Sequence, residues 1–134
     1  MADWNSLLND MVAKDGIVQG AIADPNTGYA WFTTPGFTVS AEEGQALANA
    51  FKEESQALFG TGFHLNGVKY LTIRLLYPNS IYGKHGGGGA VCVKTNQVLM
   101  VFIYDETIPA GQATSLIEEK AQYLRDHNSA QCAQ

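Results

Sequence analysis

Residues 98–103 constrain the fold more than any other part of the chain. They read Val-Leu-Met-Val-Phe-Ile, and a polar break at Thr95-Asn96 separates them from a second apolar run at residues 90–93. Two apolar runs around a short polar break are typical of a β-hairpin. A strand with one face in water alternates apolar and polar residues, and residues 98–103 do not. We therefore predict a central strand whose sheet is covered by helices on both faces.

Three segments have the periodicity of helices with one apolar side. The first has its apolar residues at Trp4, Leu7, Leu8, Met11 and Val12. The middle helix begins with a capping box from Ser40 to Glu43, and its apolar spacing continues through Leu58 to a predicted end at Gly60. The last helix is expected to begin at Pro109, a residue favoured in the first turn.

Strand patterns occupy the regions between the helices. Besides the hairpin, they cover residues 17–23, 29–33, 63–65, 69–76 and 81–84. Within residues 69–76, Leu71, Ile73 and Leu75 are predicted to share one face, and Tyr70, Thr72 and Arg74 the other. The order of elements predicts an α+β fold, with one antiparallel sheet, the terminal helices on one face and the middle helix on the other.

Composition excludes several classes of function. The chain has 134 residues and a formal net charge of −5, and it lacks the basic stripe of a nucleic-acid-binding protein. It begins Met-Ala-Asp-Trp without a basic and apolar leader, so we expect a cytoplasmic protein. Cys92 and Cys132 fit a reduced compartment better than a disulfide framework. We expect a single domain over residues 1–134, with residues 129–134 as a loose tail.

The sequence offers little for catalysis or metal binding. His85 is followed by four glycines, as in the oxyanion loop of lipases, but the Gly-x-Ser-x-Gly elbow is absent. His64, His85 and His127 lie on different predicted elements without the spacing of metal ligands. We expect no enzyme activity, cofactor or metal. The alternative hypothesis is a small hydrolase that uses His85.

Aromatic residues favour a binding function instead. If the two terminal helices lie side by side over the first hairpin, Trp4, Trp31 and Tyr123 would converge in a shallow exposed groove. Parallel exposed rings bind proline-rich ligands in the polyproline II conformation, which lose little entropy on docking. The alternative is that these rings pack in the core.

Five motifs occur in this chain in a characteristic order. They are Ala2-Asp3-Trp4-Asn5, Tyr29-Ala30-Trp31, Leu65-Asn66-Gly67-Val68-Lys69-Tyr70, Gly83-Lys84-His85-Gly86-Gly87-Gly88-Gly89 and Ile103-Tyr104-Asp105-Glu106. Over nearly its whole length the chain thus resembles profilin, and plant and lower-eukaryote profilins more than vertebrate ones. The resemblance implies a sheet of about seven strands and a monomeric, non-enzymatic protein of the cytoplasm and cytoskeleton. It also implies binding of monomeric actin, nucleotide exchange on actin, regulation of its polymerisation, and docking of proline-rich segments of formins.

The resemblance assigns residues to three sites. Proline-rich ligands would contact Trp4, Leu7, Tyr29, Trp31 and Tyr123. Monomeric actin would contact Lys69, Arg74, Lys84, Ile108, Gly111, Thr114 and Glu119. Phosphoinositides would contact Lys69, Arg74, Lys84, Lys94 and Arg125. With a net charge of −5, we expect this last interaction to be weak and salt-dependent.

Some positions depart from the family pattern or conflict with it. Leu7 stands where many relatives carry Tyr, and Tyr82 replaces a usual basic residue. Lys69 and Arg74 differ in parity, so an unbroken strand would point them to opposite faces. Either a β-bulge or a position of Lys69 at the strand entry would reconcile them.

A different class of function also fits helices around an antiparallel sheet. A small sensory or scaffold domain would enclose a ligand pocket, whereas a profilin would have a filled core and external sites.

Overall fold

The computed structural model describes residues 4–13 and 16–132, with side chains described through Asp126. Its elements are α1 (Trp4–Val12), β1 (Ile17–Ala23), β2 (Ala30–Thr33), α2 (Ala41–Glu53), α3 (Leu58–Thr61), β3 (Phe63–Leu65), β4 (Val68–Leu76), β5 (Ser80–His85), β6 (Gly88–Lys94), β7 (Leu99–Tyr104) and α4 (Ala110–Cys132). Within these residues, no helix combines the length and apolar character needed to cross a membrane. Residues 129–132 form the end of α4, although their side chains are not described, and residues 133–134 lie outside the described part, so the loose tail stays a prediction.

Seven antiparallel strands form one sheet in the order β2-β1-β7-β6-β5-β4-β3. All residues of β7 are buried. Its alternate side chains enter two different core clusters, Leu99, Val101 and Ile103 on one face and Met100, Phe102 and Tyr104 on the other. The prediction of a central strand covered on both faces is confirmed.

The helices divide between the two faces as predicted. On one face, Leu47 and Phe51 of α2 pack into the core. On the other, Leu8 and Met11 of α1 share a cluster with Ile117 of α4. Each helix buries the apolar stripe that its sequence periodicity showed. The α+β class and the placement of the terminal and middle helices are therefore confirmed.

The middle helix is shorter than predicted. Glu54 adopts the left-handed conformation, with φ at 50°, and its N–H donates to the carbonyl of Ala50. A left-handed residue after the last turn ends a helix, a role usually taken by glycine. Leu58 therefore belongs to the separate helix α3, and Gly60 lies inside that helix instead of ending α2. The spacing was misleading because Leu58 is still buried in the same cluster as Phe51.

The capping box at the start of α2 is present and has a second role. The Ser40 hydroxyl accepts from the Glu43 N–H at 3.1 Å, and the Glu43 carboxylate accepts from the Ser40 N–H at 3.0 Å. The same carboxylate accepts from the N–H groups of Asn66 at 3.0 Å and Gly67 at 2.8 Å. These two residues form the turn between β3 and β4. Glu43 thus ties α2 to a hairpin at the sheet edge.

We expect Glu43→Ala to lower the free energy of unfolding by about 1.5 kcal/mol, because three backbone N–H groups lose their acceptor. Urea denaturation followed by circular dichroism measures this loss. Glu42 is exposed in the same helical turn and provides a matched control. Glu42→Ala should cost less than about 0.5 kcal/mol. Equal losses in the two variants would contradict the role assigned to Glu43.

Candidate functional site

A β-bulge decides which side chains of β4 face outward. The pairing of β4 with β5 passes from Thr72 to Arg74, so Ile73 is an extra residue. An inserted residue reverses the alternation of side chains in the strand beyond it. Lys69 and Arg74 therefore lie on the same side of the sheet. The bulge removes the conflict between their positions in the sequence.

The bulge also overturns the predicted faces of this strand. Leu71 and Ile73 are 61% and 51% exposed. Leu75, predicted to share their face, instead packs against the core beneath α2, where Tyr70 is also buried. The prediction was wrong because it assumed that side chains alternate between the two faces along the whole strand. The extra residue at the bulge interrupts this alternation, and nothing in the sequence marks it.

Outward-facing residues of β4 and β5 combine cationic and apolar side chains. They are Lys69, Leu71, Ile73, Arg74, Tyr82 and Lys84, and we call this surface the β4–β5 face. Leu71 pairs across the strands with Lys84, and Arg74 with Tyr82. Directly opposed residues have Cβ atoms about 4.5–5.5 Å apart, so each of these cations borders an apolar or aromatic side chain. The structure thus brings together the three cations predicted for actin binding.

The first turns of α4 extend the β4–β5 face. Gly111 and Thr114 line a surface depression of about 310 Å³ together with Ile73, Arg74 and Tyr82. Two further residues predicted to bind actin therefore adjoin Arg74. A surface with apolar and aromatic groups at its centre and charges around them has the composition of a protein–protein interface.

Glu118 of α4 holds one side of this depression. Its Oε2 atom accepts hydrogen bonds from the Ser80 hydroxyl at 2.6 Å and from the Tyr82 hydroxyl. Burial and then the hydrogen bond to Glu118 raise the pKa of Tyr82 well above its ordinary value. The Tyr82 hydroxyl therefore remains a donor at neutral pH. Gly111, Thr114 and Glu118 follow the spacing i, i+3, i+7 and share one face of α4.

Lys69, Arg74 and Lys84 have no partner within the part of the chain that the structure describes. All three side chains are exposed, and in that part none of them makes a hydrogen bond or an ion pair. They are also concentrated on one surface of a protein with a net charge of −5. Clustered cations without internal partners attract an acidic surface and favour its correct orientation.

Two residues predicted for actin binding lie apart from this arrangement. Ile108 is buried in the core beneath α1 and α4, and a Cβ placed on Gly16 would lie 2.4 Å from the Ile108 Cβ. The Ile108 side chain therefore offers little surface to a partner. Glu119 is exposed, but it follows Glu118 and so lies about 100° around the helix from the depression. The roles of Ile108 and Glu119 in actin binding stay predictions.

The residues predicted to bind proline-rich ligands lie around α1, β2 and α4. Trp4 and Leu7 are half-buried and pack against the core beneath α1 and α4, as does Phe32 of β2. Trp31, which precedes Phe32, is the extra residue of a second bulge and is 44% exposed. Phe32 thus anchors the strand, while the ring of Trp31 stays accessible.

Tyr29 and Tyr123 are both largely exposed. Tyr29 lies just before β2, which begins one residue later than predicted. The ring of Tyr123 lies beneath the ammonium group of Lys120, 5.3 Å from Nζ to the ring centroid. The exposure of Trp31, Tyr29 and Tyr123 excludes core packing as the role of these rings.

The five basic residues predicted for phosphoinositides do not form one patch. Arg125 donates to the carbonyl of Lys94 at 3.1 Å. Lys84 pairs with Gly89 at the other end of β6. Gly89 and Lys94 are five positions apart, about 17 Å along an extended strand. The cations of the β4–β5 face are therefore separate from Lys94 and Arg125.

Some contributors to the candidate site were missed from the sequence. The bulge placed Leu71 and Ile73 on the face opposite to the one predicted for them relative to Arg74. Glu118, which contacts Ser80 and Tyr82, was not among the predicted residues. The spacing of Glu118 from Gly111 and Thr114 was visible in the sequence and would have identified it.

A second depression, of about 290 Å³, lies beside the glycine-rich turn between β5 and β6. Its lining includes His85, Tyr70 and Glu106. The rings of His85 and Tyr70 meet edge-on with centroids 5.7 Å apart. Among the described residues that line it there is no Ser, Thr or Cys, so it lacks the nucleophile expected of a small hydrolase.

Comparison with known proteins identifies the fold. The model of the profilin family matches residues 2–129. The chain belongs to the profilin family. Profilin-A of Physarum polycephalum is 40% identical, over 92% of this chain and 97% of its own length. The structure of Acanthamoeba castellanii profilin IB has a TM-score of 0.86 and 35% identity, covering 94% of this chain and 99% of that one. Mouse profilin IIa, solved in complex with a double repeat from the FH1 domain of mDia1, shares the profilin fold with a TM-score of 0.75 and 20% identity, over 95% and 99% of the two chains.

Membership of this family decides between the alternatives raised by the sequence. Profilins are actin-binding regulators and are not enzymes, so the hydrolase alternative is wrong. Residues from both faces of the profilin sheet fill the core, as expected of a protein with external sites rather than of a sensory domain. The greater similarity to lower-eukaryote than to vertebrate profilins is confirmed by the identities of 35% to the Acanthamoeba structure and 20% to the mouse structure, and the similarity to plant profilins stays a prediction.

Proposed function

We propose that this profilin binds monomeric actin through the β4–β5 face and the first turns of α4. The observation that carries the proposal is the set of three cations without described partners around the exposed side chains of Leu71 and Ile73. Apolar groups at the centre of an interface are buried away from water when the partner binds, while the surrounding charges set the partner's orientation. Through this contact the protein promotes nucleotide exchange on actin and regulates polymerisation.

A second site would dock proline-rich segments such as those of formins. Trp4, Trp31, Tyr29 and Tyr123 supply rings, and Leu7 supplies an apolar contact between α1 and the core. A polyproline II helix is rigid before binding, so few degrees of freedom are lost when it stacks on such rings.

The two sites are far enough apart to be occupied together. Trp31 is on β2 and the cations are on β4 and β5, and β1, β7 and β6 lie between β2 and β5 in the sheet. With neighbouring strands about 4.8 Å apart, β2 and β4 are separated by about 24 Å. One molecule can therefore carry monomeric actin while it is held by a proline-rich segment.

Acidic lipid headgroups would use the cationic part of the β4–β5 face. Lys69, Arg74 and Lys84 are exposed there, whereas Lys94 and Arg125 lie elsewhere. Because the lipid and actin share these cations, they compete, and the competition weakens as salt screens the charges. We further propose that residues 1–134 function as one cytoplasmic, monomeric profilin domain associated with the actin cytoskeleton.

Release of a fluorescent nucleotide from monomeric actin tests the proposed function. Addition of the protein should accelerate release with saturation at micromolar concentration. A proline-rich peptide should join the complex without displacing actin, as followed by sedimentation velocity. A soluble inositol bisphosphate should reduce the acceleration, and less so at high salt. No acceleration and no binding of actin at tens of micromolar would contradict the proposal.

A further inference from the structure

Glu118 links α4 to β5 through a single carboxylate oxygen. That atom accepts from the Ser80 hydroxyl at 2.6 Å and from the Tyr82 hydroxyl. Ser80 is buried, and Tyr82 is half-buried at the edge of the depression. Hydrogen bonds to a carboxylate are stronger than those between neutral groups, so this contact restricts the Tyr82 ring.

Arg74 lines the same depression as Tyr82. The positive charge of Arg74 is close enough to lower the pKa of Tyr82, against the larger effects of burial and Glu118 that raise it. Within the described residues the Arg74 side chain makes no hydrogen bond or ion pair, so its guanidinium is available to a partner.

We propose that Glu118 is a positioning residue for the actin site. It holds the Tyr82 ring as the wall of the depression and keeps Gly111 and Thr114 of α4 in register with β5, beside the exposed Arg74 side chain. The inference rests on the proposed function, because it concerns the binding of actin at the β4–β5 face.

Affinity for monomeric actin and stability in urea, measured together on the same variants, test this role. Glu118→Ala should weaken actin binding about tenfold, since two hydrogen bonds to a charged group are lost. Tyr82→Phe should weaken binding about fivefold by the same reasoning, through the loss of one such bond. In the double variant the loss should equal that of Glu118→Ala alone, because the two residues act through one contact.

Two further variants separate positioning from a purely structural role. Ser80→Ala removes the other hydrogen bond to the same oxygen, so it should lower stability about as much as Tyr82→Phe and leave actin affinity within about twofold. Glu118→Gln keeps an oxygen that accepts from Tyr82, so it should restore most of the affinity lost in Glu118→Ala.

These measurements distinguish a failure of the positioning role from a failure of the proposed function. If the wild-type protein does not bind actin, the function itself is wrong. If it binds and Glu118→Ala stays within twofold of it, the positioning role is wrong. The positioning role would also be overturned if the loss of actin affinity were proportional to the loss of stability in every variant, Ser80→Ala included. A Glu118→Gln variant as weak as Glu118→Ala would show instead that the charge of Glu118 acts directly on actin.

Discussion

Replacing Arg74 by Glu is expected to weaken binding of monomeric actin about 100-fold. Arg74 lines, with Ile73 and Tyr82, the depression that α4 completes, and within the described residues its side chain makes no hydrogen bond or ion pair. Reversal of its charge removes an attraction and introduces a repulsion against an acidic surface. Because Arg74 is exposed, the substitution leaves the core intact.

Lys52→Glu is a matched control for Arg74→Glu. Lys52 is exposed on α2, on the other side of the sheet, and the variant has the same change in net charge. Fluorescence titration of labelled monomeric actin should give Lys52→Glu an affinity within about threefold of the wild type, since a distant exposed charge contributes little. Similar losses in both variants would mean that net charge, and not the β4–β5 face, determines binding.

Trp31→Ala is expected to weaken binding of a polyproline peptide about 30-fold, the effect of removing a central aromatic residue from an interface. Trp31 protrudes at a bulge in β2, while its neighbour Phe32 packs on the core. The substitution therefore removes contact area for the ligand and little from the packed interior. Isothermal titration calorimetry measures the affinity without depending on the tryptophan signal.

Phe59→Ala is the corresponding control for Trp31→Ala. Phe59 is 52% exposed, close to the 44% of Trp31, but it belongs to α3 on the α2 side of the sheet. We expect peptide affinity to stay within about twofold in this variant, the range of a surface substitution away from the interface. Full binding by Trp31→Ala would rule out a groove centred on this ring.

Much of the fold was predictable because buried positions recur in the sequence with the period of the helix or strand that contains them. The apolar run at residues 98–103 indicated a strand covered on both faces, and Ser40 with Glu43 fixed the start of α2. Both signals are local, since they depend on residues that are neighbours along the chain. The prediction that the middle helix extends to Gly60 was wrong because the helix ends at Glu54, which is left-handed, and glutamate is not a residue type that signals a helix end.

The candidate site was less predictable because it depends on contacts between distant segments. The bulge at Ile73 reverses the strand and exposes Leu71, and no residue type marks that insertion. Glu118 is recognised as part of the site only when α4 lies against Ser80 and Tyr82, which precede it by 38 and 36 residues. The positions of Lys69, Arg74 and Lys84 came from resemblance to a family, and the structure supplies the reason that they share one face.

Cross-saturation from actin to the methyl groups of this profilin tests the central claim most directly. With perdeuterated, methyl-labelled protein bound to monomeric actin, saturation of actin should attenuate the methyl resonances of Leu71 and Ile73, which are exposed on the β4–β5 face. The indole N–H of Trp31, exposed in the other proposed site, should keep its intensity. Strong attenuation at Trp31 with none at Leu71 and Ile73 would contradict the placement of actin on the β4–β5 face.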